Sequence, residues 1–315
     1  MRGLPVRDLA ARVERAGGAA LGPARVPGAA LAVIDGGDVA WVGAVGDVAP
    51  DARFQAGSVS KALAAFGVLR LAERTAADLD APLVPSLGGW RPPGAPAGME
   101  DGITLRRVLS HTAGIGVPAY PGELPGAPSP TTADLMTAVR LVAPPGRGFR
   151  YSGGSFTVAQ HWVERVTGEP FGPWMDREVL SALGMVASTF DQAPSPADAT
   201  PHDADGVPMP AYRHAALAAA GLLTTAEDLG RFGAAIATGA LPAGMTEPAP
   251  TTDGRYGLGL ELGALGPGLA GHSGQNRGWR ALVAVRRENG RGIVVLANGE
   301  GGDAVRSAAL AELVA

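Results

Sequence analysis

The sequence predicts an α/β fold of the α+β kind, with one antiparallel sheet assembled from the two ends of the chain and flanked by helices. Three observations carry this expectation. Apolar runs of strand length joined by tight turns occur near both termini. A segment that is apolar almost all round, Ser58 to Arg74, follows the first of them. The stretch between reads as helices and loops, so it is expected as a mostly helical insertion at about 76–214. The sheet part then comprises about 1–75 and 215–315 of a single domain, and 315 residues suffice for an ample core.

The elements follow in order. Val6, Leu9, Ala10 and Val13 repeat at helical spacing. Ala29–Ile34 and Val39–Val45 flank Asp35-Gly36-Gly37-Asp38 and read as a hairpin. After the Ser58–Arg74 helix, Ile103–Ile115 is predicted as a helix stopped by Gly114, and Thr131–Val142 as one closed before Pro144-Pro145. Ser155–Val166, Pro173–Leu183 and Thr224–Thr238 follow, the last opened by the capping signal TTAEDL. Pro85–Gly98 and Gly116–Pro130 are dense in Pro and Gly, as befits surface loops or a lid over a pocket. Strands are expected again at Tyr256–Leu262, Ala281–Val285 and Ile293–Ala297. Asn289-Gly290 turns the last pair, and a helix at Ala304–Val314 closes the chain.

Composition narrows the function. A net charge of −4 with dispersed Arg leaves no nucleic-acid footprint. The absence of Cys excludes disulfides, thiolate metal sites and a Cys nucleophile. No pair of His residues has metal-ligand spacing, so neither metal nor cofactor is expected. The opening residues are broken by charges and lack a signal-peptide run. The longest small-apolar run, Ala215–Leu223, is far too short for a bilayer. A soluble cytoplasmic protein is therefore expected.

One basic residue stands apart. Of the 26 Lys and Arg residues, only Lys61 is lysine. It lies three residues after Ser58, so on a helix the two side chains meet. A desolvated lysine can lose its proton and activate a serine hydroxyl, which arginine cannot do. The neighbouring Ser60 is expected to point away from Lys61.

The segments GSVSK (57–61), FRYSGGSF (149–156) and GHSGQNRGW (271–279) resemble the three motifs of the serine β-lactamase and penicillin-binding-protein superfamily. The likeness is closest to the branch of class C β-lactamases, D-amino-acid peptidases and amidases, and family VIII esterases. LSHTAGI (109–115), AAGLLTTAEDLGRF (219–232) and YGLGLEL (256–262) extend it over almost the whole chain. The resemblance implies a β-lactamase/transpeptidase-like fold, Ser58 as the acylated nucleophile, Lys61 as its base and Tyr151 as the proton relay. It also implies that His272-Ser273-Gly274 lies on the strand edging the site. Gly274 would admit the substrate backbone, His272 would hydrogen-bond a polar or carboxylate group, and the Gln275 and Ser58 N–H groups would form the oxyanion hole. Trp279 is read as pocket wall or core, and His111 as a buttress. His161, His202 and His214 carry no signal. Two departures weaken the case for β-lactam hydrolysis: Gly153 stands where the family has Asn, and His272 where it has Lys.

The reading is a serine hydrolase forming an acyl-enzyme at Ser58, an esterase or amidase of small acyl, D-amino-acyl or peptide substrates. The rival enzyme reading is an acyltransferase, or a penicillin-binding-protein-type thioesterase or peptide cyclase of natural-product biosynthesis. A catalytically dead ligand-binding module is the other, and the intact Ser58, Lys61 and Tyr151 oppose it. The expected partner is a small-molecule or peptide acyl substrate, with no nucleic acid and no membrane.

Overall fold

The computed structural model describes residues 5–117, 120 and 122–315. Near the start of the chain, α1 (Val6–Ala24) precedes β1 (Gly28–Asp35) and β2 (Asp38–Gly46), which pair across Gly36-Gly37. The turn needs glycine, since Gly36 has φ +61°. Next come α2 (Ser60–Arg74) and, in the middle, α3 (Gly153–Thr167). The chain returns through α4 (Ala226–Thr238) to β3 (Glu261–Leu262), β4 (Leu269–Asn276), β5 (Trp279–Arg286) and β6 (Arg291–Ala297), and ends in α5 (Asp303–Val314).

The six strands form one antiparallel sheet in the order β2-β1-β6-β5-β4-β3. Among the described residues, none between 76 and 214 contributes a strand to it. Alternation decides the two faces. Ala29, Leu31 and Val33 of β1 join Leu9 and Val13 of α1 and Val305 and Leu313 of α5 in one cluster. Ala30, Ala32 and Ile34 join Leu63 of α2, Phe156 of α3 and Phe232 of α4 in the other. Strands buried on both faces read as continuous apolar runs, which is why β5 and β6 are plain in the sequence.

Three expectations are corrected. The predicted helix over 103–115 is helical only from Leu105 to Leu109. There the Ser110 hydroxyl bonds the Arg106 carbonyl and Thr112, and His111 adopts a left-handed φ of +58°. The helix over 131–142 ends at Met136, and Arg140–Leu141 pairs instead with Ile115–Gly116. Within 256–262 only Glu261–Leu262 is strand. Gly259, at φ +85°, lies where a β-carbon would be 2.2 Å from Ala65 Cβ, so this segment packs against α2 rather than extending. Part of the 116–130 loop, residues 118, 119 and 121, lies outside the described residues. Among the described residues, no helix is long and apolar enough to cross a membrane.

The start of α4 ties the middle of the chain to the sheet layer. Thr225 caps the helix by accepting from the Asp228 N–H. The buried Asp228 carboxylate accepts from the Ala187 N–H and the Ser188 hydroxyl, each at 2.8 Å, and pairs with Arg231. Asp228→Ala would leave these donors without an acceptor. It should destabilise the fold by about 3 kcal/mol or more, measured by denaturant unfolding. A loss under about 1 kcal/mol would show that the 187–188 segment is held by other contacts.

Candidate active site

The turn before α2 presents Ser58. Gly57–Val59 is a single 3₁₀ turn, so Ser58 sits two residues ahead of the α-helix rather than as its first residue. Ser60, fully buried, donates to the Gly57 carbonyl and accepts from the Leu222 N–H. Its hydroxyl is thus spent on holding the turn, and it does not compete with Ser58.

Lys61 lies one turn on, 3% exposed, with Nζ 3.0 Å from Ser58 Oγ and 2.7 Å from the Ala219 carbonyl. Burial pulls its pKa from 10.5 down to about 7, against an opposing pull from the Glu261 carboxylate. Near neutral pH a large fraction of Lys61 is therefore unprotonated and within hydrogen-bonding distance of a serine hydroxyl.

Tyr151 precedes α3, whose N-cap is Ser152. Its ring lies 5.1 Å from Lys61 Nζ, and Ser58 is close enough to its phenol to affect its titration. Loss of hydration raises the phenol well above its ordinary pKa, with Glu261 adding to the rise and Ser58 opposing it. The residue is 44% exposed, so Tyr151 borders solvent. His111 buttresses this arrangement. Its ring stacks on Tyr151 with centroids 4.3 Å apart, and its Nδ1 accepts from the Ser152 N–H. Burial holds His111 neutral.

Strand β4 crosses the Ser58 turn at contact distance. A β-carbon on Gly274 would lie 1.9 Å from the Ala56 carbonyl oxygen and 3.2 Å from Ser58 N, and one on Gly57 would lie 2.6 Å from Gln275 N. Gly274 is thus required by the protein's own backbone. The crossing brings the amide nitrogens of Ser58 and Gln275 together, and the Gln275 side chain is exposed.

Two predicted substrate contacts are corrected. His272 is fully buried, and both of its ring nitrogens are committed. Nδ1–H donates to the Ser273 carbonyl, and Nε2 accepts from Tyr256 Oη at 3.0 Å. It has no free nitrogen for a ligand, and burial lowers its pKa, so it supplies no fixed positive charge. Trp279 is 1% exposed and packs edge-on against Phe54, so it belongs to the core and not to a pocket wall.

Other residues escaped notice in the sequence. Glu261 Oε1 accepts from the Ser273 hydroxyl at 2.9 Å and lies 3.4 Å from His272 Nδ1. A lone acid inside the apolar YGLGLEL was a usable signal for it. Ala219 acts through its carbonyl, for which no residue type could have been a signal. His214 lines a cavity of about 190 Å³ that also includes Gln275. A cavity of about 490 Å³ opens beside Tyr151 and Gly153. A larger one, about 910 Å³, lies away from this chemistry at Arg53, Ser188, Asp228 and Arg231.

At Gly153 a β-carbon would rest against the Tyr120 ring at 3.5 Å, an ordinary contact, so the Tyr120 ring flanks this position.

This fold, with serine, lysine and tyrosine joined at one turn, defines a class. The chain belongs to the beta-lactamase family, whose model matches residues 10–315. It is similar to the esterase EstB of Burkholderia gladioli, 30% identical over 229 residues, covering 66% of this chain and 58% of that protein. The chain thus spans little more than half the length of that curated relative. Among solved structures it resembles a D-stereospecific amidohydrolase from Streptomyces sp., with TM-score 0.78, 25% identity, and 95% and 97% of the two chains covered. It also has the fold of a D-amino acid amidase from Ochrobactrum anthropi SV3, with TM-score 0.81, 20% identity, and 98% and 99% covered.

The buried lysine has a measurable cost. Between about pH 7 and 10.5 the unfolded chain holds a proton on Lys61 that the folded chain lacks. Stability should therefore rise with pH across that window, and below it the full penalty of burying the charge applies. Lys61→Met should be more stable than the native protein at neutral pH and should lose that part of the upward slope. Denaturant unfolding at neutral and alkaline pH tests both. An unchanged slope would mean that Lys61 is hydrated in the fold.

Proposed function

We propose that this protein is a serine hydrolase that forms an acyl-enzyme at Ser58, with esters and amides of small acyl groups as substrates. The observation that carries the reading is the 3.0 Å contact between Ser58 Oγ and a lysine whose burial brings its pKa to about 7. The similarity to EstB supports the esterase side, and the resemblance to the D-stereospecific amidohydrolase from Streptomyces sp. supports amides of D configuration.

In this mechanism unprotonated Lys61 takes the Ser58 proton as Oγ attacks the carbonyl carbon. The Ser58 and Gln275 N–H groups receive the developing oxyanion. Tyr151, with its pKa raised, stays a phenol, which makes lysine the base and tyrosine the carrier. It donates its proton to the leaving group and regains one from the Lys61 ammonium. Water then attacks the ester carbon, giving its proton to Lys61, and Ser58 leaves with a proton returned along the same route.

The acylation rate should climb with pH through about 7 and level off above it, because only unprotonated Lys61 acts. Stopped-flow acylation by an acyl ester reads this, and a rate flat from about pH 5.5 to 8 would rule out Lys61 as the base. Lys61→Arg should fold normally, label poorly at Ser58 with a fluorophosphonate, and lose about 100-fold or more in acylation. A folded Arg variant acylating within a few-fold of the native enzyme would defeat the mechanism.

With Tyr120 in the space beside Gly153 and a neutral, fully engaged His272, nitrocefin should be turned over far more slowly than acyl esters. Comparable kcat/KM for the two substrates would show that neither change matters.

A further inference from the structure

The small cavity next to Gln275 holds a polar group that the mechanism does not use. His214 is 5% exposed, and among the described residues neither ring nitrogen has a hydrogen-bond partner. Leaving a buried donor and acceptor both unmet is costly. Buried polar groups in folded proteins find partners, and those not met by the chain are met by a ligand or water. His214 borders two cavities, the one of about 190 Å³ shared with Tyr120, Gln275 and Glu300, and another of about 530 Å³ behind it.

The other polar groups around the smaller cavity differ in their freedom. The Asn276 amide donates to Gln55 Oε1 and the Ala220 carbonyl. Tyr120 Oη bonds Thr157. Arg277 is exposed at the rim, with its guanidinium 4.9 Å from the Tyr212 ring centre, where water screens its charge. Half-buried Glu300 contributes a carboxylate to the same space.

We propose that His214 and Glu300 form a subsite, beside the Ser58–Gln275 amides, for a primary amine on the acyl part of the substrate. The inference rests on the acyl-enzyme reading above and adds where an amino group of the acyl unit is held. Burial, aided by the Lys61 charge, lowers the His214 pKa to about 4, so at neutral pH its ring accepts a hydrogen bond from an ammonium rather than repelling it. The Glu300 carboxylate supplies the countercharge and disfavours a carboxylate in the same place.

The test compares p-nitrophenyl esters of leucine, as both enantiomers, with that of 4-methylpentanoic acid, which differs only in lacking the amine. Spontaneous hydrolysis is subtracted, and acylation of Ser58 is followed by mass spectrometry. For the better enantiomer the native enzyme should favour the amino ester by about tenfold or more in kcat/KM, the scale of a hydrogen-bonded charge. Glu300→Gln and His214→Leu should each cut that ratio about fivefold or more, which a general loss of activity would not do. Should His214→Leu fold poorly by its melting curve, the ratio for Glu300→Gln decides alone. Equal kcat/KM for amino and desamino esters, or a ratio unchanged in Glu300→Gln, overturns the subsite while leaving Ser58 acylation intact. Failure of every ester to acylate Ser58 overturns the subsite together with the reading beneath it.

Discussion

Lys61 keeps a pKa near neutrality only where water is kept away from its ammonium, and that requirement reaches through much of the surrounding structure. The helix carrying it is buried on nearly every face, from Ser60 through Leu69. Phe156 and Tyr151 cover Nζ from the side, and the Ala219 carbonyl meets one of its hydrogens. A helix this enclosed cannot be amphipathic, so its uniform apolarity is the sequence trace of a lysine kept from water. An arginine could be buried there too, but it would remain charged and chemically idle.

A second constraint is the approach of β4 to the Ser58 turn. The strand comes from the C-terminal part of the chain and the turn from the N-terminal part. Glycine at 57 and 274 lets the two backbones touch. That contact brings two amide nitrogens together and fixes which strand residues look inward. His272 then falls into the interior, where Tyr256 and the Ser273 carbonyl take both its nitrogens. Glu261, held by Ser273 on the neighbouring strand, becomes the negative charge that His272, Lys61 and Tyr151 all sense. The polar side of the site is thus a connected set, with the lysine as its titrating member.

The two departures from the family pattern have a common character. At 153 a side chain is missing, and the Tyr120 ring lies beside the position. At 272 a cation is replaced by a neutral, occupied imidazole. Both changes remove groups that would grip a fixed anionic or amide feature of a substrate. The proposed amine subsite at His214 and Glu300 would then carry part of the recognition.

Much of this was legible in the sequence because it depends on local pattern. The apolar runs of β1, β5 and β6, the turns at Gly36-Gly37 and Asn289-Gly290, and the helices at 60–74 and 226–238 follow from periodicity and turn chemistry. The pairing of Ser58 with Lys61 follows from helical spacing alone. What the sequence could not determine depends on partners distant along the chain. The helices over 103–115 and 131–142 are cut short because their ends pair with each other as Ile115–Gly116 and Arg140–Leu141. Gly274 is explained by Ala56, His272 by Tyr256, Trp279 by Phe54, and the unpartnered His214 by the cavity it borders. Residue type and spacing say which group can act. Whether it meets water, a partner or an empty space is decided only when segments tens to hundreds of positions apart are packed together.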